Sequence, residues 1–267
     1  MPVITKISIQ KKNKDRYNIF TDDGSGEAYS FSVDEDVLIK HGLKKGMELD
    51  DILLSEIGFH DDIRKAYNDA IGYLARRMRS EYEVRTFLKG KEVDEVIIQE
   101  TIHKLYQYSF LNDEEFALAF VRTQMNTTDK GRGLIRMELK EKGIREELME
   151  KALEQFSFEQ ELETAIKLCE KNMRKNTKES TRIAKQKLEQ VLSRKGFYSD
   201  IIQEAISAAA PEKEEDEELA ALRHQAEKAS RKYRALPEFE YKQKMKQALA
   251  RKGFSFDLID KVLREEE

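Results

Sequence analysis

Four segments of this chain obey one rule, and that self-similarity limits the fold more than any other feature. Each opens on a Leu, carries a Lys three residues later and an apolar residue five later: Leu88, Lys91 and Val93; Leu139, Lys142 and Ile144; Leu192, Lys195 and Phe197; Leu249, Lys252 and Phe254. The register continues downstream. Ile97, Leu148, Ile201 and Leu258 stand nine residues on, Ile98, Met149, Ile202 and Ile259 ten on, and Ile102, Leu153, Ile206 and Leu263 fourteen on. The leading leucines are 51, 53 and 57 residues apart, a period that belongs to stacked helical units and leaves room for three helices in each. Gly143, Gly196 and Gly253 follow the repeated Lys as helix stops, since a left-handed residue after a helix is most easily a glycine. The first repeat has Glu92 there, so its turn is expected to be built differently.

Helix starts are marked independently of the repeat. Ser80 with Glu83, Asn112 with Glu115 and Ser157 with Gln160 have capping-box spacing, and Pro237 suits a first helical turn. These signals place repeats at 62–108, 109–157, 158–210 and 211–267, the last opening on the acidic run from Glu212 to Glu218. Because each unit must bury an apolar stripe against its neighbours, the expected architecture is mainly α, an elongated curved solenoid of tandem three-helix repeats.

Residues 1–61 differ in kind. Val3, Ile4, Ile7 and Ile9, then Tyr17, Ile19 and Phe20, then Tyr29, Phe31 and Val33 form three short runs of β-favouring residues. Polar turns at 11–15 and 22–26 separate them. This predicts a small three-stranded antiparallel head, with Val37, Leu38, Ile39, Leu43 and the stretch from Ile52 to Ile57 supplying one or two covering helices.

Function is harder to read. The chain is 37% charged with a net charge of −4 and no Trp, so any affinity for nucleic acid has to come from local basic stretches. Nowhere do about 18 apolar residues run together and no apolar leader opens the sequence; a cytoplasmic protein with no membrane contact is expected. The single Cys169 sits in an apolar run and reads as a core residue. His41, His60, His103 and His224 are scattered outside any metal-binding frame, and the glycine clusters at 24–26, 42–46 and 131–133 lack a phosphate-loop Lys. Neither metal nor cofactor is expected, no catalytic residues are assigned, and the chain reads as a binder rather than an enzyme.

The basic residues cluster. Between Lys171 and Lys195 nine basic residues, Lys175 among them, face two acidic ones, and between Arg223 and Lys252 ten face three, a net +7 in each stretch. In the second repeat Arg132, Arg136 and Lys140 recur every four residues and line one helix face. The contact candidates are therefore Arg132, Arg136, Lys140, Lys142, Lys185, Arg194, Lys195, Lys246, Arg251 and Lys252. Such a stripe would hold phosphates in a salt-sensitive, sequence-tolerant way, or dock on an acidic protein groove. Sequence physics leaves both open.

The segment from Phe110 through Arg122, with Lys130-Gly131-Arg132-Gly133, Ile135, Glu138-Leu139 and Lys142-Gly143-Ile144 after it, resembles the central signature of the RecX family. The β-containing head and fourth repeat resemble its longer members. The resemblance implies a monomeric regulator that lies along the groove of a RecA filament on single-stranded DNA, touches several protomers, and alters strand exchange and ATP hydrolysis in recombination, DNA repair and the SOS response. Direct contact with single-stranded or double-stranded DNA is part of that expectation. The signature carries over to Asp113, Phe116, Phe120, Val121, Arg122, Arg132, Gly133, Leu139, Lys142 and Gly143, of which Phe116, Phe120, Val121 and Leu139 are expected in the core. The competing readings are a free-standing, sequence-nonspecific DNA-binding repeat protein and a scaffold for unrelated proteins. No residue pattern encodes whether regulation inhibits or stimulates.

Overall fold

The computed structural model describes residues 1–174, 177–209 and 215–265. The predicted boundary at 210–211, Lys175 and the part of the acidic run at 212–214 lie outside them. The head is the expected meander: β1 (Val3–Ile9), β2 (Arg16–Asp22) and β3 (Ala28–Asp34) pair antiparallel in that order. Its second turn is fixed by Asp22, whose carboxylate accepts the amides of Gly24 at 2.8 Å and Gly26 at 3.0 Å. Ile4, Ile19 and Val33 face inward against Val37, Leu43, Leu49 and Ile57.

Two helices follow, α1 (Glu35–Lys40) and the long α2 (Asp51–Leu74), which runs unbroken past residue 61. The change of sequence character there has a physical origin. Ile57 near the start of α2 belongs to the head core, whereas Ala66 and Ala70, two turns on, pack with Val84, Leu88, Ile98 and Ile102 of the first repeat. One helix thus serves both cores. A buried ion pair ties it to the sheet: Arg16 donates to both oxygens of Asp61 at 3.2 and 2.8 Å, and Asp61 also accepts the Asp34 amide at 2.8 Å. Burial opposes the Asp61 charge, but Arg16, that amide and Lys65 together hold its carboxyl below the usual range.

The remaining helices come in threes. With the second half of α2, α3 (Glu81–Lys89) and α4 (Glu95–Gln107) make the first repeat. Next are α5 (Asp113–Thr127), α6 (Arg132–Glu141) and α7 (Glu146–Leu153), then α8 (Phe158–Met173), α9 (Thr181–Arg194) and α10 (Ser199–Ala209). The last three are α11 (Glu215–Tyr233), α12 (Glu238–Arg251) and α13 (Phe256–Glu265). Ser80 and Ser157 form full capping boxes, and Asn112 Oδ1 accepts the amides of Glu114 and Glu115. The repeated apolar columns are core: Leu88, Leu139, Leu192 and Leu249 are all fully buried, each burial contributing roughly 1.5–3 kcal/mol. Phe116, Val121 and Cys169 are also buried and Phe120 half-buried.

By Cα proximity the chain divides into two compact units, 1–116 with 142–145, and 117–141 with 146–267. The expectation for the first repeat's turn is corrected. Glu92 adopts φ +61°, the left-handed conformation that Gly143, Gly196 and Gly253 adopt at +73°, +84° and +84°. The amide after it returns to the leading Leu carbonyl, Val93 to Leu88 at 3.3 Å, as Phe197 does to Leu192 at 3.2 Å. All four turns place a left-handed residue at the same position; what differs is the space around them.

Candidate functional site

The repeats meet through a junction that recurs three times. In each, the second helix of one repeat begins against the glycine turn of the next, and a carboxylate from the next repeat's first helix accepts the opening amide. Asp113 accepts the Glu81 amide at 2.8 Å, Glu161 accepts that of Arg132 at 2.8 Å, and Glu218 accepts that of Thr181 at 3.1 Å. These are the first residues of α3, α6 and α9, whose amides have no partner inside their own helices and lie at the positive end of the helix dipole. Burial pushes the Glu161 carboxyl above its usual range, against the pull of the Arg132 amide and guanidinium. Burial raises that of Asp113 likewise.

The glycines are required here for space as well as for φ. A Cβ on Gly143 would fall 2.5 Å from Tyr82 Cβ, one on Gly253 2.6 Å from Ser180 Oγ, and one on Gly196 would collide with the Leu134 backbone. Glu92 is exposed and meets no such neighbour, so a side chain is tolerated there. Gly131 and Gly133 serve the middle junction. Their amides donate to Lys195 O at 2.8 Å and Gly196 O at 2.9 Å, and a Cβ on either would lie within 2.8 Å of the Gly196 carbonyl.

This geometry re-sorts the basic candidates. Arg132 pairs with Glu161 at 3.0 Å and its guanidinium also donates to the Phe156 carbonyl, so it is an internal strut. Arg136 pairs with Glu146 and, at 3.0 Å, with Glu150. Lys142 reaches Glu83 at 3.5 Å, Lys195 reaches Asp129 at 3.8 Å, and Lys246 holds Asp260 at 2.6 Å. The repeated Lys column therefore reflects contact between or within repeats in three of its four positions, Lys91 pairing with Asp69 at 2.8 Å. The fourth, Lys252, has no side-chain partner among the described residues, and the same holds for Lys140, Lys185 and Arg251. Arg194 is exposed, and among the described residues its side chain bonds only to the Gln190 carbonyl of its own helix.

Arg251 and Lys252 come together with Gln225 and the Lys187–Glu179 ion pair around a shallow cavity of about 250 Å³ beside the Ser180–Gly253 junction. Ser180 Oγ donates to the Lys252 carbonyl there. Lys187 was not among the sequence candidates; its place next to Arg251, 64 positions on in the sequence, follows from stacking of α9 on the turn after α12. What the arrangement offers is two cations without ion-pair partners among the described residues, Arg251 and Lys252, beside the Lys187–Glu179 pair, a surface suited to anionic groups. Among the described residues no group of three or more His, Cys, Asp or Glu is arranged to hold a metal ion, and no helix is long and apolar enough to cross a membrane.

Comparison with known proteins agrees with this anatomy. The chain matches the RecX N-terminal domain over residues 2–50, the first RecX three-helix domain over 66–105, the second over 112–153, and the third twice, over 159–206 and 215–263. It is 49% identical to the regulatory protein RecX of Bacillus subtilis (strain 168) and 47% identical to that of Bacillus velezensis, in both cases over 267 residues and the full length of each chain. A crystal structure of regulatory protein RecX superposes with a TM-score of 0.69 at 38% identity, covering 76% of this chain and 98% of that one. The structure of RecX from Lactobacillus salivarius gives 0.54 at 37% identity over 56% and 97%. The head, the repeated three-helix units and the doubled third domain all belong to one pattern, and the chain is a member of the RecX family of regulatory proteins.

Proposed function

We propose that this protein binds the RecA–single-stranded DNA filament along its groove in the cytoplasm and modulates strand exchange and ATP hydrolysis, without catalytic activity of its own. The observation that carries the reading is full-length kinship with regulatory RecX proteins, joined to a set of unpaired cations held on interlocked repeats. Many weak contacts spread over several repeats become effectively intramolecular once the first has formed. Lys140, Lys185, Arg194, Arg251 and Lys252 are the contact residues this reading favours; Arg132, Arg136, Lys142, Lys195 and Lys246 support them through internal pairs.

The test is ATP hydrolysis and strand exchange by the cognate RecA with this protein titrated at substoichiometric levels. A clear change at such ratios supports the filament as target. Ending the chain near residue 210 should weaken filament binding far more than a single surface substitution, and equal affinities refute the multivalent reading. The cavity at Lys187, Arg251 and Lys252 also favours a second reading, direct nonspecific DNA binding. In that case affinity falls log-linearly with salt whether or not RecA is present, and charge reversal at Arg194, Lys195, Arg251 and Lys252 abolishes it.

A further inference from the structure

Away from the stacked repeats, three elements of the head and first repeat converge on a concavity that the filament reading does not use. Lys40 at the end of α1, His60 and Arg64 on α2, and Lys104 on α4 line a space of about 330 Å³, with Tyr67 and Tyr108 at its walls. Asp36 is the only acidic lining residue, and it is held by Arg64 at 2.8 Å.

The other lining cations, Lys40 and Lys104, make no ion pair among the described residues, and the nearest acids that offset them, Glu56 beside His60 and Glu100 beside Lys104, stand outside the lining. Lys40 donates to His60 Nε2 at 2.7 Å, and the other ring nitrogen of His60 meets His41 Nε2 at 2.8 Å, so this chain of hydrogen bonds ends on an imidazole rather than a carboxylate. Lys104 is half-buried and its ammonium has no hydrogen bond or ion pair among the described residues. Burial, then Lys40 and Arg64, push its ammonium below the usual lysine range, and burial, Lys40 and His41 do the same to His60. Converging like charges in a concave wall raise the local potential and concentrate anions.

The rim supplies the second half of the argument. Tyr108 is 61% exposed and Phe110 52% exposed, and both rings meet Tyr67 edge-on, at 6.3 and 6.4 Å between centroids. Between them Ser109 holds φ +58°, a conformation unfavourable for a side-chain-bearing residue. The turn leaves two aromatic faces in solvent beside a cationic pocket. Large exposed rings next to phosphate-binding cations are the arrangement on which unpaired bases stack; a carboxylate ligand would use the cations and leave the rings unexplained.

We propose that the Lys40–His60–Arg64–Lys104 pocket binds a backbone phosphate of single-stranded nucleic acid, with an adjacent base stacked on Tyr108 or Phe110. This site makes the head and first repeat a nucleic-acid contact in their own right, and it does not rest on the filament reading.

The test uses the full chain, no recombinase, and a fluorescein-labelled oligothymidylate at low salt, followed by anisotropy. Lys104→Gln should weaken binding at least threefold and lower the steepness of the log–log salt dependence by about 0.7, the contribution of one phosphate contact on a single strand. Tyr108→Ala should weaken it at least fivefold. Photocrosslinking with 4-thiothymidine should place the adduct on the peptide carrying Tyr108 and Phe110. Because Lys104→Gln removes repulsion, its melting temperature should equal or exceed that of the parent, which separates lost binding from lost folding. Parent-like affinity in both variants with no adduct at 108–110 overturns the proposal, as does an absence of oligothymidylate binding. Stabilisation by inorganic phosphate alone, with the oligonucleotide results unchanged by the variants, also overturns it, since the site then takes a free anion.

Discussion

Replacing Gly196 with Ala tests the junction most directly. The residue sits at φ +84°, where a Cβ costs roughly 1–2 kcal/mol, and the added atom would collide with the Leu134 backbone and lie 2.5 Å from Leu134 Cβ. Backbone on both sides leaves little room to relax, so α6 has to draw away from the turn. That movement breaks the bonds from Gly131 N to Lys195 O and from Gly133 N to Gly196 O, each contributing about 1 kcal/mol. It also strains the cap on Arg132 N by the buried Glu161, where an unsatisfied group costs roughly 1–3 kcal/mol. The overlapping contributions give an expected loss of about 3–5 kcal/mol. Urea unfolding followed by circular dichroism measures the total, and native-state hydrogen exchange of the Gly131 and Gly133 amides reports whether the loss begins at the junction. A cost below about 1 kcal/mol, or unchanged protection of those two amides, would refute the claim that glycine is needed there for close approach.

Glu92→Gly should act in the opposite direction and raise stability by about 0.5–1 kcal/mol, because the exposed left-handed residue loses a strained side chain and no packing; thermal unfolding checks it. Arg16→Ala should cost about 3–5 kcal/mol by leaving Asp61, 4% exposed, without its guanidinium. Since the folded Asp61 carboxyl is held below the ordinary 3.8, its contribution is present above that value and lost as pH falls through the folded one; the variant's acid-unfolding midpoint should therefore move upward. Glu161 has the reverse sign. Its folded carboxyl lies above the ordinary 4.5, so its contribution is complete below that value and declines as pH rises through the folded one, and Glu161→Gln should flatten the stability profile just above pH 4.5.

Much of the fold was legible because it rests on local chemistry. The alternation in Val3–Ile9 and its partners, the Ser80 and Ser157 capping boxes, and the buried leucine columns are each set by residues a few positions apart. The junctions were not legible, because Glu81 and Asp113, Arg132 and Glu161, and Thr181 and Glu218 are 32, 29 and 37 positions apart. Periodicity exposed one partner of each pair without the other. The same distance in sequence hid the partners of the Lys142 and Lys195 column, Glu83 and Asp129, which lie in the preceding repeat. At Glu92 the sequence misled in a different way: a missing glycine suggested another turn, whereas the backbone kept its conformation and only the neighbour was absent. The cationic pocket in the head escaped notice because Lys40, His60 and Lys104 are unremarkable until α1, α2 and α4 converge.

The three junctions also give the chain a direction of assembly. Each of the first three repeats lends the opening amide of its second helix to an acceptor that arrives later in the sequence, as Arg132 does to Glu161, whereas α12 has Pro237 at its N-cap with no side-chain cap and with residues 237–240 exposed to water. Asp113, Glu161 and Glu218 are alike in kind, but each turn fits its own neighbour, Tyr82 at Gly143, the backbone of 131–134 at Gly196 and Ser180 at Gly253, so the junctions share a plan and differ in fit. Excising a whole period would keep a donor and an acceptor at the new seam but would bring Ser80 and Tyr82, or Ser180 and Arg182, to a turn shaped for another neighbour, so a protein of this kind is lengthened or shortened by whole repeats only when the seam is refitted with them.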